Sequence, residues 1–301
     1  MLSLGAQFLK LELRLAKPLV RFTSIEAARG AQDQLGRITA RVLKAKVDYE
    51  PVTFDTFQAC FAVSTACRTP CDRAVLYLHG GGYTAGSLDY AKGFGGLLAA
   101  HTGLSVFCAA YRLAPEHKFP AALDDAMTAY LYLLEQGFAP EHIAFAGESA
   151  GGGLEYCLAL RCKDEGVPLP KCIVGISPWT DLTFSGPWYY NNVLRDPTLI
   201  RESLAYYVLA YAAGHEDEPY VSPALGDLSG MPNSLLFAGS DEILLDDARS
   251  LYQKMIDGGS SAELIVEKGM WHVYPLYGTL EAKRAVRKMS AFIRRELGLE
   301  A

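Results

Sequence analysis

An α/β fold is what this sequence predicts: a mostly parallel sheet of about eight strands, flanked by helices and topped by a helical cap. Three observations carry that expectation. Six short, unbroken apolar runs alternate with helical patterns, two extended segments precede them, and one interval of more than 50 residues interrupts the rhythm. Short apolar strands alternating with helices imply a parallel sheet, because crossover helices cover both of its faces. The 301 residues read as one domain, 1–301, with the cap formed by 1–45 and 179–230.

Residues 1–45 read as two helices. Leu4, Phe8, Leu11 and Leu15 recur at three- and four-residue steps and so share a face. Leu2, Leu9 and Leu13 fall off that stripe, which makes the first helix apolar on more than one side. Such a helix packs between elements, covers an apolar surface, or lies on a membrane. The second helix, Ser24 to Lys46, is more polar and carries Gly30 and Gly36. VDYEPVTF (47–54) and TFQACFAVST (56–65) follow as extended segments, the latter rich in β-branched and aromatic residues.

The alternation then begins. AVLYLHG (74–80), SVFCAAY (105–111), HIAFAGE (142–148), CIVGIS (172–177), SLLFAGS (234–240) and AELIVEK (262–268) are the strand candidates. Helical patterns occupy 89–102, 120–136, 150–165, 246–257 and 279–297. The interval between CIVGIS and SLLFAGS far exceeds the usual two to six residues of a strand–helix connection. Inside it, Asp196-Pro197 has the N-cap and first-position signature of a helix over 197–213.

Composition narrows the partners. Half the residues are hydrophobic and the net charge is −6, so a sizeable core is expected and a nucleic-acid surface is not. No stretch approaches the roughly 20 apolar residues of a transmembrane helix. Lys10, Glu12, Arg14 and Lys17 interrupt the N-terminal apolar segment, which therefore does not read as a signal peptide. The seven cysteines match no zinc spacing and read as reduced, buried thiols of a cytoplasmic protein. A Cys67–Cys71 disulfide has no support in the sequence.

In a parallel sheet, ligands bind beyond the carboxyl ends of the strands. After HIAFAG, Gly147-x-Ser149-x-Gly151 joins strand to helix, the pattern of a nucleophile elbow. The helix opening there points free N–H groups at the reacting oxygen. After AVLYL comes His79-Gly80-Gly81-Gly82. Three glycines can be no more than a flexible turn, but a serine nucleophile also needs unobstructed backbone N–H groups for the oxyanion. Gly81, Gly82 and Ala150 are the candidates.

A serine hydroxyl needs a base. Of six histidines, only His272 follows both Ser149 and a strand-end acid, in the loop Gly269-Met270-Trp271-His272. His101 and His142 read as surface or strand-edge residues, and His79 as a residue that holds its own loop. Asp241, directly after SLLFAGS, is the first candidate for the acid that fixes the imidazole tautomer. Glu242 is the first alternative. Asp246 and Asp247 read as helix-start acids.

These residues carry a resemblance. HGGGY (79–83), YRLAPEHKFPAALDDA (111–126), GESAGG (147–152), SPWTDLTFSG (177–186), EPYVSP (218–223), GSDEILLDDA (239–248) and GMWH (269–272) resemble the hormone-sensitive-lipase group of α/β-hydrolases, the bacterial family IV esterases. The resemblance implies the α/β-hydrolase fold, a Ser149–Asp241–His272 triad, an oxyanion hole of Gly81, Gly82 and Ala150, and a two-part cap. It also implies a carboxylesterase acting on short- to medium-chain acyl esters through an acyl-enzyme, with no cofactor and no metal. Three positions depart from the family pattern. Glu148 stands where aspartate is more common, and Gly153 and Glu155 where asparagine and a small residue are common.

A lactonase, amidase or formamidase uses the same intermediate, so the motifs leave those open. A non-catalytic receptor on this fold typically lacks a triad member, and all three residues are present here. Phe8, Phe22, Trp188, Tyr189, Tyr206 and Tyr207 suit an apolar acyl or alcohol group, or simply attach the cap. The expected partner is a small-molecule ester. An exposed edge strand at 262–268 offers a contact for a homodimer.

Overall fold

The computed structural model describes residues 2–20, 24–66 and 72–299. Eight strands form one sheet: β1 (Val47–Thr53), β2 (Gln58–Ser64), β3 (Ala74–Leu78), β4 (Ser105–Ala110), β5 (Ile143–Glu148), β6 (Cys172–Ile176), β7 (Asn233–Gly239) and β8 (Ala262–Glu267). Their order is β1-β2-β4-β3-β5-β6-β7-β8. The β1–β2 and β2–β4 pairs are antiparallel, and every other pair is parallel.

Every residue of β3, β5 and β6 is buried, which is why their sequences are unbroken apolar runs. Alternate side chains feed opposite faces. Leu76, Phe107, Phe145 and Leu236 join one cluster with Leu123, Met127, Leu158 and Leu251 of α4 (Ala121–Glu135), α5 (Ala150–Glu165) and α8 (Leu245–Asp257). Val75, Tyr77, Val106 and Phe237 join the other, with Leu98, Met289 and Ile293 of α3 (Leu88–Thr102) and α9 (Leu280–Glu296). Each such side chain contributes about 1.5–3 kcal/mol by leaving water.

The remaining helices gather over the carboxyl ends of the strands. The first, α1 (Leu4–Val20), turns Ala6, Leu9 and Leu13 inward. Its regular stripe of Leu4, Phe8, Leu11 and Leu15 faces outward and is 55–85% exposed. The inward face is instead fixed by polar groups: Ser3 bonds the Glu281 carboxylate, and Lys10, only 8% exposed, reaches the site described below. Next, α2 (Ile25–Leu43) is capped by Ser24, whose side chain accepts from Ala27 N, and packs along α3.

The long interval contains α6 (Trp188–Asn191) and α7 (Arg201–Ala212). The helix expected at 197 therefore starts at Arg201. Asp196 does receive the N–H groups of Thr198 and Leu199, as an N-cap would, but its second oxygen accepts from Ile243 N at 2.9 Å. Held by that long-range bond, the chain makes a local turn and opens its helix later. Residues 219–229 leave the carboxyl ends and run back beside α5, where Tyr220 meets Asp164 and Lys163 meets Asp227 and Ser229.

Cys60, Cys108, Cys157, Cys162 and Cys172 are free and buried, whereas Cys67, Cys71 and Phe22 lie outside the described residues. Among the described residues, no helix is long and apolar enough to cross a membrane.

Candidate active site

Ser149 sits between β5 and α5 with φ 55° and ψ −122°, a conformation that a non-glycine residue keeps only when its surroundings enforce it. Its amide donates to Ile176 O, and its carbonyl accepts from Gly153 N and Trp179 N. A Cβ at Gly151 would lie 2.0 Å from Leu78 O, so the turn cannot be this tight with a side chain there. The hydroxyl of Ser149 lies 2.9 Å from His272 Nε2.

The glycine loop after β3 faces the same turn. Gly82 has φ 62°, and a Cβ there would meet the ring of Tyr207 at 2.5 Å, so α7 rests directly on this loop. Tyr211, one turn later, stacks on Tyr83 with ring centroids 3.8 Å apart. The amides of Gly81, Gly82 and Ala150 donate to no other group among the described residues. Ala150 opens α5, whose first N–H groups have no intrahelical acceptor. Three unengaged donors thus flank the Ser149 turn.

Glu148 ties the two turns together. Its Oε1 accepts from Gly80 N at 2.6 Å and Tyr90 Oη at 3.1 Å, and its Oε2 accepts from Tyr77 Oη at 2.7 Å. Burial pushes this carboxyl up to about 7 against the pull of those bonds. His79 is fully buried, stacks on Tyr111, and has Nδ1 2.8 Å from Gly80 O, so it secures its own loop. His101 and His142 lie away from the site, the first exposed and the second paired with Asp72.

The acid side differs from expectation. The backbone of Asp241 is next to the histidine loop, with its amide donating to Met270 O at 3.0 Å. Its side chain, however, turns toward α1. Oδ2 is 2.5 Å from Lys10 Nζ, and Oδ1 accepts from Ser240 Oγ. Lys10 also donates to Gly269 O at 2.6 Å. Burial works to raise the Asp241 carboxyl, but the bonds from Lys10 and Ser240 outweigh it and hold it low. No hydrogen bond or ion pair joins Asp241 to His272; its carboxylate is paired with the Lys10 ammonium and the Ser240 hydroxyl instead.

His272 Nδ1 is buried without a partner. Burial pushes this imidazole down to about 3. Glu242, beside Asp241, points inward and is fully buried. Its Oε2 accepts from Ser177 Oγ at 2.7 Å and Gly239 N at 3.1 Å, while its Oε1 has no partner. Burial pushes Glu242 up to about 8. Ser177 Oγ in turn accepts from Val273 N, the residue after the base, at 3.0 Å. Asp246 and Asp247 open α8, where they bind the N–H groups of Trp188 and of Thr180 and Asp181.

Sequence reasoning missed Ser177 and Lys10. Ser177 lies directly after β6, a strand end where no motif marks the residue. Ser177 and Val273 both have positive φ (46° and 50°), as Ser149 does, so backbone strain collects around this cluster. Lys10 carried a weaker signal: a cation flanked by leucines in an apolar helix.

Comparison with known proteins agrees with this architecture. A sequence profile of the alpha/beta hydrolase fold matches residues 75–276. An acetyl-hydrolase of Streptomyces hygroscopicus is 39% identical over 229 residues, covering 75% of this chain and 77% of its own. An esterase of Acinetobacter venetianus is 32% identical over 222 residues, covering 72% and 73%. Among solved structures, an esterase/lipase from an uncultured bacterium superposes with a TM-score of 0.91 at 31% identity, covering 98% of this chain and 99% of that one. An esterase from the bacterial hormone-sensitive lipase family gives 0.88 at 30% identity, covering 99% and 100%. The chain therefore belongs to the α/β-hydrolase fold family and, within it, to the hormone-sensitive-lipase group.

Proposed function

We propose that this protein is a serine carboxylesterase that hydrolyses short- to medium-chain acyl esters through an acyl-enzyme. One observation carries the reading: Ser149 Oγ lies 2.9 Å from His272 Nε2, beside the free amides of a glycine loop and a helix N-terminus. The ester carbonyl oxygen receives the amides of Gly81, Gly82 and Ala150. His272 takes the Ser149 proton as Oγ attacks the carbonyl carbon, and returns it to the leaving alcohol. Water, deprotonated by the same imidazole, then releases the acid.

For the residue that orients His272 we propose Glu242 in place of Asp241. Asp241 is neutralised by Lys10. Glu242 and His272 each keep one buried atom unpartnered, Oε1 and Nδ1. Ser177 Oγ already links their segments by donating to Glu242 and accepting from Val273 N, and a side-chain rotation that pairs the two atoms would satisfy both. Once so paired, an ionised Glu242 stabilises the imidazolium formed during attack.

The cap of this reading is 1–45 together with the part of 179–230 that lies over the strand ends, α6 and α7. Relatives named acetyl-hydrolase and ethyl acetate hydrolase support small acyl groups. A cytoplasmic location is supported by the five buried free thiols. The outer edge of β8 is the surface for a homodimer, which light scattering on the eluted protein tests.

The decisive experiment is a p-nitrophenyl ester series from C2 to C16. Hydrolysis is expected to fall sharply beyond about eight carbons, and Ser149→Ala to abolish it while leaving the circular dichroism spectrum unchanged. Near-normal turnover in that variant overturns the assignment.

A further inference from the structure

We propose that Glu148 is a positioning residue that sets the distance between the nucleophile and the oxyanion amides; this rests on the ester-hydrolase reading and deepens it. The elbow and the glycine loop leave different strands, β5 and β3, and their relative placement fixes where the oxyanion donors point. Registration of those strands ends with Leu78 opposite Gly147, one residue short of Glu148 and two short of Ser149. Beyond that point the sheet no longer holds them together.

Glu148 takes over there. Gly80 N donates to its Oε1 at 2.6 Å, so the loop that carries Gly81 and Gly82 hangs from the residue before the nucleophile. Tyr77 and Tyr90 hold the same carboxyl in place from β3 and α3, at 2.7 and 3.1 Å. Burial keeps both phenols protonated, and therefore donors. All three bonds are local to this carboxyl, which is 1% exposed, so no water competes for them.

The geometry demands length more than charge. A glutamine at 148 keeps a carbonyl oxygen for Gly80 N and Tyr90, and the Tyr77 hydroxyl can turn to accept from its amide. An aspartate draws the acceptors back by one methylene, about 1.5 Å, and cannot reach both sides. A misaimed oxyanion donor costs roughly 10²–10³ in kcat.

The test compares Glu148→Gln, Glu148→Asp and Glu148→Ala on p-nitrophenyl acetate and on an aryl trifluoromethyl ketone. The ketone adds the Ser149 oxygen to its carbonyl carbon and passes the serine proton to His272, leaving an oxyanion at the amides. Expected is a kcat loss on the order of 10²-fold for the aspartate and alanine variants, with KM within about threefold. Ketone affinity should fall by a similar factor, and the glutamine variant should stay within about fivefold of wild type. Should the aspartate or alanine chain not fold, Tyr77→Phe and Tyr90→Phe loosen the brace from its other side. Each should lower kcat and ketone affinity together by several-fold. A structural role alone would lower the melting temperature and leave kcat and ketone affinity of the folded fraction unchanged, and that result overturns the proposal. So does a glutamine variant as impaired as the alanine one. A wild type that neither turns over the ester nor binds the ketone overturns the esterase reading and this proposal together. An active wild type matched by all its Glu148 variants overturns only this one.

Discussion

The last residue of β5 and the loop after β7 each contribute a buried glutamate, yet the two carboxyls are used differently. Glu148 has both oxygens engaged by fixed donors from β3, α3 and the glycine loop. Glu242 has one oxygen engaged by Ser177 and Gly239 and the other unengaged. A carboxyl whose acceptors are all taken by immobile donors can hold a shape. One with an acceptor in reserve can answer a neighbour that changes charge. A third buried glutamate, Glu155 on α5, has no partner on either oxygen and marks the far end of the series.

Substitution at Glu242 tests the difference most sharply. Glu242→Gln is expected to lower kcat by roughly 10³–10⁴, the loss seen when the acid of such a triad is neutralised, while Asp241→Asn costs less than about tenfold. Steady-state kinetics on one short ester measures both, and a reversal of the two effects would restore Asp241 as the orienting acid. The pH profile adds a direction. Burial pushes Glu242 up to about 8, so kcat/KM should rise as this carboxyl ionises and begins to stabilise the imidazolium, and that limb should be lost in Glu242→Gln. A limb retained in that variant would argue against the pair.

Glu155 makes the next largest prediction, on stability rather than rate. Burial holds its carboxyl well above the ordinary range, so the folded protein keeps a proton that the unfolded chain releases. Native stability contributed by this group is therefore complete below the ordinary carboxylate value and declines as pH rises. Glu155→Met should stabilise by about 1–3 kcal/mol at pH 7, because it removes a buried polar group left without a bond. The gain should widen from pH 5 to pH 8 in urea unfolding, and a destabilised variant would mean that the carboxyl has a partner in solution.

The smallest effect belongs to Lys10. Asp241 is held below its ordinary value, so the stability it lends is present at neutral pH and lost in acid. Lys10→Met should cost on the order of 1 kcal/mol at pH 7, allowing for solvent screening, and less at pH 3. Thermal unfolding at the two values checks it.

Much of this arrangement was readable from residue order. Unbroken apolar runs identified the parallel strands because both faces of the sheet are covered. Gly147-x-Ser149-x-Gly151 and the triple glycine identified the two turns because each brings backbone within contact distance. Other parts depended on contacts that no local pattern encodes. Asp241 and Glu242 are chemically alike and adjacent, and a lysine 231 positions away decides which of them is neutralised. The same reason hid the outward stripe of α1. Periodicity says which leucines share a face, but Ser3 and Lys10 decide which face turns in. Asp196 carries a helix-start signature, and a distant amide at Ile243 diverts it.

The reach of Lys10 also bears on how the polypeptide matures. Its two acceptors lie 231 and 259 positions downstream, so a ribosome must finish most of the translation before that ammonium has anything to hold. Strands β3 to β6 can assemble as they emerge, whereas the leading helix waits for the last third of the message. Closure of the N-terminal segment over the histidine loop is thus a late event in biogenesis, and newborn chains stalled short of residue 269 should leave that helix open to protease.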